Sequence, residues 1–113
     1  MIKIYHNPRC SKSRQGVKIL ENSKQNFETI FYLVNIPTES ELREIIYLLK
    51  ISPIELVRKN EKIWKERFKG IELTDNEIIK AMIENPKLIE RPIVINNKKA
   101  VIVRPPENIS FIL

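Results

Sequence analysis

The chain opens with a short apolar run, Ile2 to Tyr5, that reads as a strand, and a helix-compatible segment runs from Ser11 to about Asn22. Pro8, in the turn between them, has no N–H for a sheet ladder and ends the strand. Phe27 to Leu33 is rich in β-branched and aromatic residues and reads as a second, central strand. A β-α-β unit of this length predicts parallel pairing. Pro37 closes that region.

The middle of the chain follows a helical period. Thr38 and Glu41 have capping-box spacing, and Leu42, Ile45, Ile46 and Leu49 then form an apolar stripe. Ser52-Pro53-Ile54-Glu55 starts a short helix ending near Val57-Arg58. A weaker helical patch covers Glu61 to Phe68; packing is the expected role of Trp64, with no chemistry assigned to it. Thr74 and Glu77 cap a further helix whose apolar face is Ile78, Ile79, Met82 and Ile83, and Asn85-Pro86 stops it.

The strand pattern returns at Pro92 to Ile95 and Ala100 to Val103, joined through Asn96-Asn97-Lys98-Lys99 as a hairpin. The tail beyond Arg104-Pro105-Pro106-Glu107 reads as a short helix or turn. This order predicts a single α/β domain over residues 1–113. Its four-stranded mixed sheet is flanked by helices, with a helical insertion at about 38–85 between the second and third strands.

Composition adds limits. The 113 residues suffice for one core, and 42% hydrophobic with 30% charged residues is ordinary for a globular protein. No apolar run approaches the roughly 18 residues of a membrane span, and no secretory leader precedes the first strand, so a cytoplasmic protein is expected. Net charge is +6, but the lysines are scattered and form no run, so nucleic acid is not an expected partner.

The chemistry centres on Cys10, the only cysteine. It stands where the first helix begins, and the unpaired N–H groups and dipole of a helix N-terminus stabilise an anion. A free thiol is only roughly 3% thiolate at pH 7, whereas a downward shift of about two units makes it roughly three-quarters thiolate, the nucleophilic form. The plainer alternative is a small buried cysteine; Arg9, Lys12 and Arg14 nearby argue against an apolar pocket. His6 either orders the HNPRC turn, the favoured reading, or tunes the thiolate. Ser13 takes the place of the second cysteine of a C-x-x-C pair: its hydroxyl is expected to donate to the sulfur, but it cannot resolve a disulfide. A reducing thiol must come from outside the chain.

Arg58, Arg91 and Arg104 stand at element boundaries. Singly each reads as a surface charge. Together, at strand ends beside a thiolate, their planar forks would suit a tetrahedral oxyanion and lower the pKa of Cys10.

IYHNPRCSKSR, LVRKNE, LIERPIV and VRPPE, in this order over essentially the whole chain, resemble the glutaredoxin-coupled arsenate reductases of the thioredoxin-like superfamily, in a short form. That resemblance implies a thioredoxin-like fold and a cysteine, Cys10, that attacks arsenate or a related oxyanion. It implies oxyanion binding by Arg58, Arg91 and Arg104, thiolate support by His6 and Ser13, and a cis-proline at Pro92 opposite the cysteine. It also implies a monomeric oxidoreductase with no metal or bound cofactor, with glutathione as co-substrate and glutaredoxin as partner. Several branches carry a longer C-terminal tail than this chain, which stops at Leu113. A second branch contains redox-sensing regulators that bind RNA polymerase. They usually carry C-x-x-C, so Ser13 weighs against that alternative.

Overall fold

The computed structural model describes residues 1–113. Its contacts separate into two compact units, one of Met1–Asn35 with Arg91–Leu113 and the other of Ile36–Glu90.

The first unit holds strands β1 (Ile2–Tyr5) and β2 (Phe27–Ile30) and helix α1 (Ser11–Asn22). Strands β3 (Ile93–Asn96) and β4 (Lys99–Ile102) complete it. They form one four-stranded mixed sheet in the order β2-β1-β3-β4, with β1 parallel to β2 and antiparallel to β3. The second strand is therefore an edge strand, not the central one expected, and it stops at Ile30, not Leu33. The reason lies in its side chains. Exposed Glu28 and half-buried neighbours suit an edge, whereas Ile4 and Val94 of β1 and β3 are fully buried. Past Ile30 the N–H groups of Val34 and Asn35 both donate to the Phe31 carbonyl, which turns the chain.

The β3–β4 register runs from Ile93 opposite Ile102 to Asn96 opposite Lys99. That leaves Asn97 and Lys98 as the loop, with Asn97 in the left-handed conformation asparagine tolerates (φ 57°). The core of this unit comprises Ile2, Ile4, Leu20, Val94 and Val103, with Ile109 from a C-terminal 3₁₀ segment, Pro106–Phe111, and Ile112 just after it.

The second unit holds α2 (Glu39–Leu49), α3 (Lys62–Arg67) and α4 (Asp75–Glu84), with 3₁₀ turns at Pro53–Leu56 and Pro86–Leu88. The capping boxes form as the spacing predicts: Thr38 with Glu41, Ser52 with Glu55, and Thr74 with Glu77. Arg43 on α2 donates to Asn76 in the first turn of α4 at 2.7 Å. Helix α4 packs against α2 and both 3₁₀ turns. Leu42, Leu56, Met82 and Leu88 are fully buried there. Trp64 is buried and stacks on Phe68, with ring centroids 5.4 Å apart.

Candidate active site

The end of β1 is tied down before the cysteine is reached. The His6 N–H donates to the Ile30 carbonyl at 2.8 Å, which carries the β1–β2 pairing one residue further. The Asn7 side chain accepts the Arg9 N–H, and the Asn7 carbonyl accepts the Cys10 N–H. Two residues of α1 reach back to hold the turn. Arg14 donates through Nη1 to the Pro8 carbonyl at 2.9 Å. The fully buried Ser13 hydroxyl accepts the Asn7 N–H at 2.9 Å and shares a 2.6 Å hydrogen bond with Nδ1 of buried His6.

The Ser13 hydroxyl is engaged by the turn, through His6 and the Asn7 N–H. It is the Ser13 backbone N–H that acts on the sulfur. Burial, and then the charge of Arg14, holds the pKa of His6 below its ordinary 6.5, so the ring is neutral at pH 7.

Cys10 is the N-cap residue of α1, with extended backbone (φ −96°, ψ 122°), and its carbonyl accepts the Arg14 N–H as the first helical bond. The side chain is half-buried. Burial pushes its pKa up. Against that act the Ser13 N–H, the Arg91 guanidinium, the Lys12 N–H and the Arg104 guanidinium, and together they leave the thiol below its ordinary value. Neither amide makes a full capping hydrogen bond to sulfur; their dipoles favour the thiolate from close range.

Arg104 joins the parts. Its Nη2 lies 3.4 Å from Cys10 Sγ, while its Nε donates to the Arg91 carbonyl at 2.7 Å. One planar guanidinium thus spans the thiol and the backbone of the second arginine. Arg91 itself is buried, at 9% exposure. The Arg91–Pro92 bond is cis, and so is Arg104–Pro105, which the sequence alone did not single out.

The fold therefore brings Cys10, His6, Ser13, Arg91 and Arg104 together in one unit. Arg58 belongs to the other unit, where its guanidinium pairs with Glu61 and, through Nε at 3.6 Å, with Glu90. Gly16 was not foreseen as a site residue. A Cβ there would lie 3.3 Å from Ile4 Cδ1, 3.3 Å from Pro92 Cγ and 3.8 Å from Val103 Cγ1. Pro92 and Val103 are the chain neighbours of Arg91 and Arg104, so this close approach sets α1 against both arginine-bearing segments. A glycine inside an otherwise helical run was the available signal.

The sheet order, the half-buried cysteine at the start of α1 and the cis-proline just before β3 define a thioredoxin-like protein. The chain belongs to the ArsC family, whose model matches residues 5–112. Over 114 residues it is 40% identical to the arsenate reductase of Neisseria meningitidis serogroup A, covering 99% of this chain and 97% of that one. It is 43% identical over 110 residues to YfgD of Escherichia coli K12, a protein described as uncharacterized, covering 96% and 92% of the two chains. Among solved structures, an arsenate reductase from Vibrio cholerae superposes with a TM-score of 0.94 at 41% identity, covering 99% of this chain and 97% of that chain.

Proposed function

We propose that this protein is an oxidoreductase that reduces arsenate to arsenite through a Cys10 adduct, with glutathione and glutaredoxin as the external reductant. The observation that carries this reading is the Arg104 fork: a guanidinium 3.4 Å from Sγ, anchored on the Arg91 backbone, beside a thiol whose pKa is lowered. A nucleophile and oxyanion donors adjoin one another there. The arsenate reductases among its relatives share about two-fifths of its residues over nearly full length.

In the proposed sequence the Cys10 thiolate attacks arsenic(V), forming an S–As bond while one arsenate oxygen leaves as water after protonation. Glutathione displaces a second oxygen, also as water. The two sulfurs then join as a Cys10–glutathione disulfide, giving up two electrons to arsenic, which leaves as arsenite after hydration. A second glutathione, through glutaredoxin, restores the Cys10 thiol and yields glutathione disulfide. The balance is one arsenate and two glutathiones in, one arsenite, one glutathione disulfide and one water out. The chain's lone cysteine makes an outside thiol necessary.

Arg91 and Arg104 are assigned to the arsenate oxygens, with His6 and Ser13 holding the turn that presents the thiolate. Arg58 is assigned to the oxyanion on the family resemblance; Glu61 and Glu90 would compete with the anion for it. No helix is long and apolar enough to cross a membrane, and we place the reaction in the cytosol, where a lone thiol stays reduced.

The test is arsenate-dependent oxidation of glutathione with glutaredoxin present, run beside Cys10→Ser. Turnover that disappears in the variant is expected. Turnover that survives Cys10→Ser, or none with several glutaredoxins, would overturn the proposal.

A further inference from the structure

Arg58 meets two carboxylates within the second unit. Its Nη1 donates to Glu61 Oε1, and Glu90 Oε1 lies 3.6 Å from its Nε. A guanidinium grips an anion through one of two edges, each made of two nitrogens. Here each edge already has a carboxylate at one of its nitrogens. The backbone fixes all three residues. The Arg58 N–H donates to the Leu88 carbonyl at 2.7 Å, the Glu90 N–H to the Leu56 carbonyl at 2.8 Å, and the Glu61 N–H to the Arg58 carbonyl at 3.1 Å. Glu61 is also the N-cap residue of α3, yet its side chain makes no capping hydrogen bond. Its carboxylate is turned to Arg58 instead. The side chains of Arg58, Glu61 and Glu90 are only 23%, 28% and 26% exposed, so solvent screens their charges less than it does surface pairs.

We infer that Glu61, with Glu90 beside it, makes Arg58 a reader of the proton on a tetrahedral oxyanion. This rests on the proposed function, which gives Arg58 the oxyanion. A guanidinium only donates hydrogen bonds and a carboxylate only accepts them. Toward an oxyanion without a proton, such as sulfate, the carboxylates are competitors and repel it. Arsenate and phosphate each keep at least one O–H at neutral pH. Such an anion can take the guanidinium donors on its bare oxygens and give its O–H to Glu61. The pair of donor and acceptor therefore fits hydrogenarsenate and hydrogenphosphate. It mismatches sulfate, which sets a carboxylate against an oxygen with no hydrogen between them.

Calorimetric titration with inorganic phosphate and with sulfate at pH 7 tests this without any turnover. The parent is expected to bind phosphate about tenfold more tightly than sulfate, the scale of a charge-assisted hydrogen bond discounted for partial exposure. Glu61→Gln keeps the shape, removes the charge and supplies a donor for a bare oxygen. The ratio of the two dissociation constants is then expected to fall about fivefold to tenfold. Glu90→Gln, acting from the longer distance, should move the ratio the same way but less. Glu66→Gln is the control. It removes a negative charge from α3, where Glu66 pairs with Lys62 at 3.6 Å, and should leave the ratio unchanged. Arg58→Leu should weaken both anions, and in its background Glu61→Gln should no longer move the ratio. A parent that fails to bind phosphate or to prefer it, a ratio unmoved by Glu61→Gln, or an equal fall in Glu66→Gln overturns the inference. The expected fall without arsenate turnover in the parent leaves the proton-reading pair standing and sinks the reductase reading. Arsenate turnover with an unmoved ratio does the reverse.

Discussion

Adding one methyl group at Gly16 is a perturbation whose size can be worked from the structure. In a free helix, alanine in place of glycine gains about 1 kcal/mol. Here the new Cβ would meet Ile4 Cδ1 and Pro92 Cγ at 3.3 Å, inside the roughly 3.5–4.0 Å at which carbon pairs are most stable. Ile4 and Val103 are completely buried and Pro92 is a rigid ring in the core, so none can step aside into solvent. Overpacking of this kind costs about 1–3 kcal/mol. Gly16→Ala is therefore expected to lose about 1 kcal/mol net, and Gly16→Val more. Urea unfolding would register the alanine variant as a midpoint lower by roughly 0.3–1 M, at a slope of about 1–3 kcal/mol per M. A second readout concerns the site. Displacing Pro92 and Val103 moves the adjoining Arg91 and Arg104, so the pH midpoint of Cys10 alkylation should rise. An alanine variant more stable than the parent, with its alkylation midpoint unmoved, would refute the close-packing argument on both counts.

Alkylation of Cys10 in the parent should show a midpoint below that of a free thiol, and Arg104→Leu should raise it; a midpoint at the free-thiol value would remove the thiolate. Because the folded pKa is the lower one, the unfolded chain binds more protons between the two values. Stability should therefore rise with pH across that window and fall as pH drops through the folded pKa, a slope that Cys10→Ser should abolish. Ser13→Ala should cost about 1–3 kcal/mol by stranding Asn7 N–H and His6, yet scarcely move the alkylation midpoint, since the backbone N–H remains. A large pKa rise with little loss of stability would mean that the hydroxyl serves the sulfur after all.

What the sequence made legible was local or chemically distinctive. The capping boxes at Thr38, Ser52 and Thr74 depend on partners three residues apart, so spacing alone identifies them. The hairpin was placed correctly but its strands were shifted by one residue at each inner end. Spacing cannot say which asparagine takes the left-handed turn, and the register closes on Asn97. The second strand looked central because its residues favour strands. Which strand lies at the edge is decided elsewhere, when β3 takes the other side of β1.

The site divides along the same line. Cys10 at a helix start could be read from Pro8 and the polar residues after it, because the helix N-terminus supplies its own field. The groups that make this thiol more than a capped end come from far along the chain. Arg104 is 94 positions away, and its place beside Sγ rests on a bond to the Arg91 carbonyl that no residue pattern encodes. Ser13 shows the limit most clearly. Its position three residues after Cys10 suggested a hydroxyl for the sulfur. Yet a buried hydroxyl between a buried imidazole and the Asn7 N–H has little freedom to turn elsewhere. The thiolate is left to amide dipoles and guanidinium charge, both fixed by the packing of α1 against Pro92 and Val103. Reactivity at Cys10 is thus tied to the closeness of that packing, and Gly16, which bears no functional group, belongs with the charged residues in any account of it.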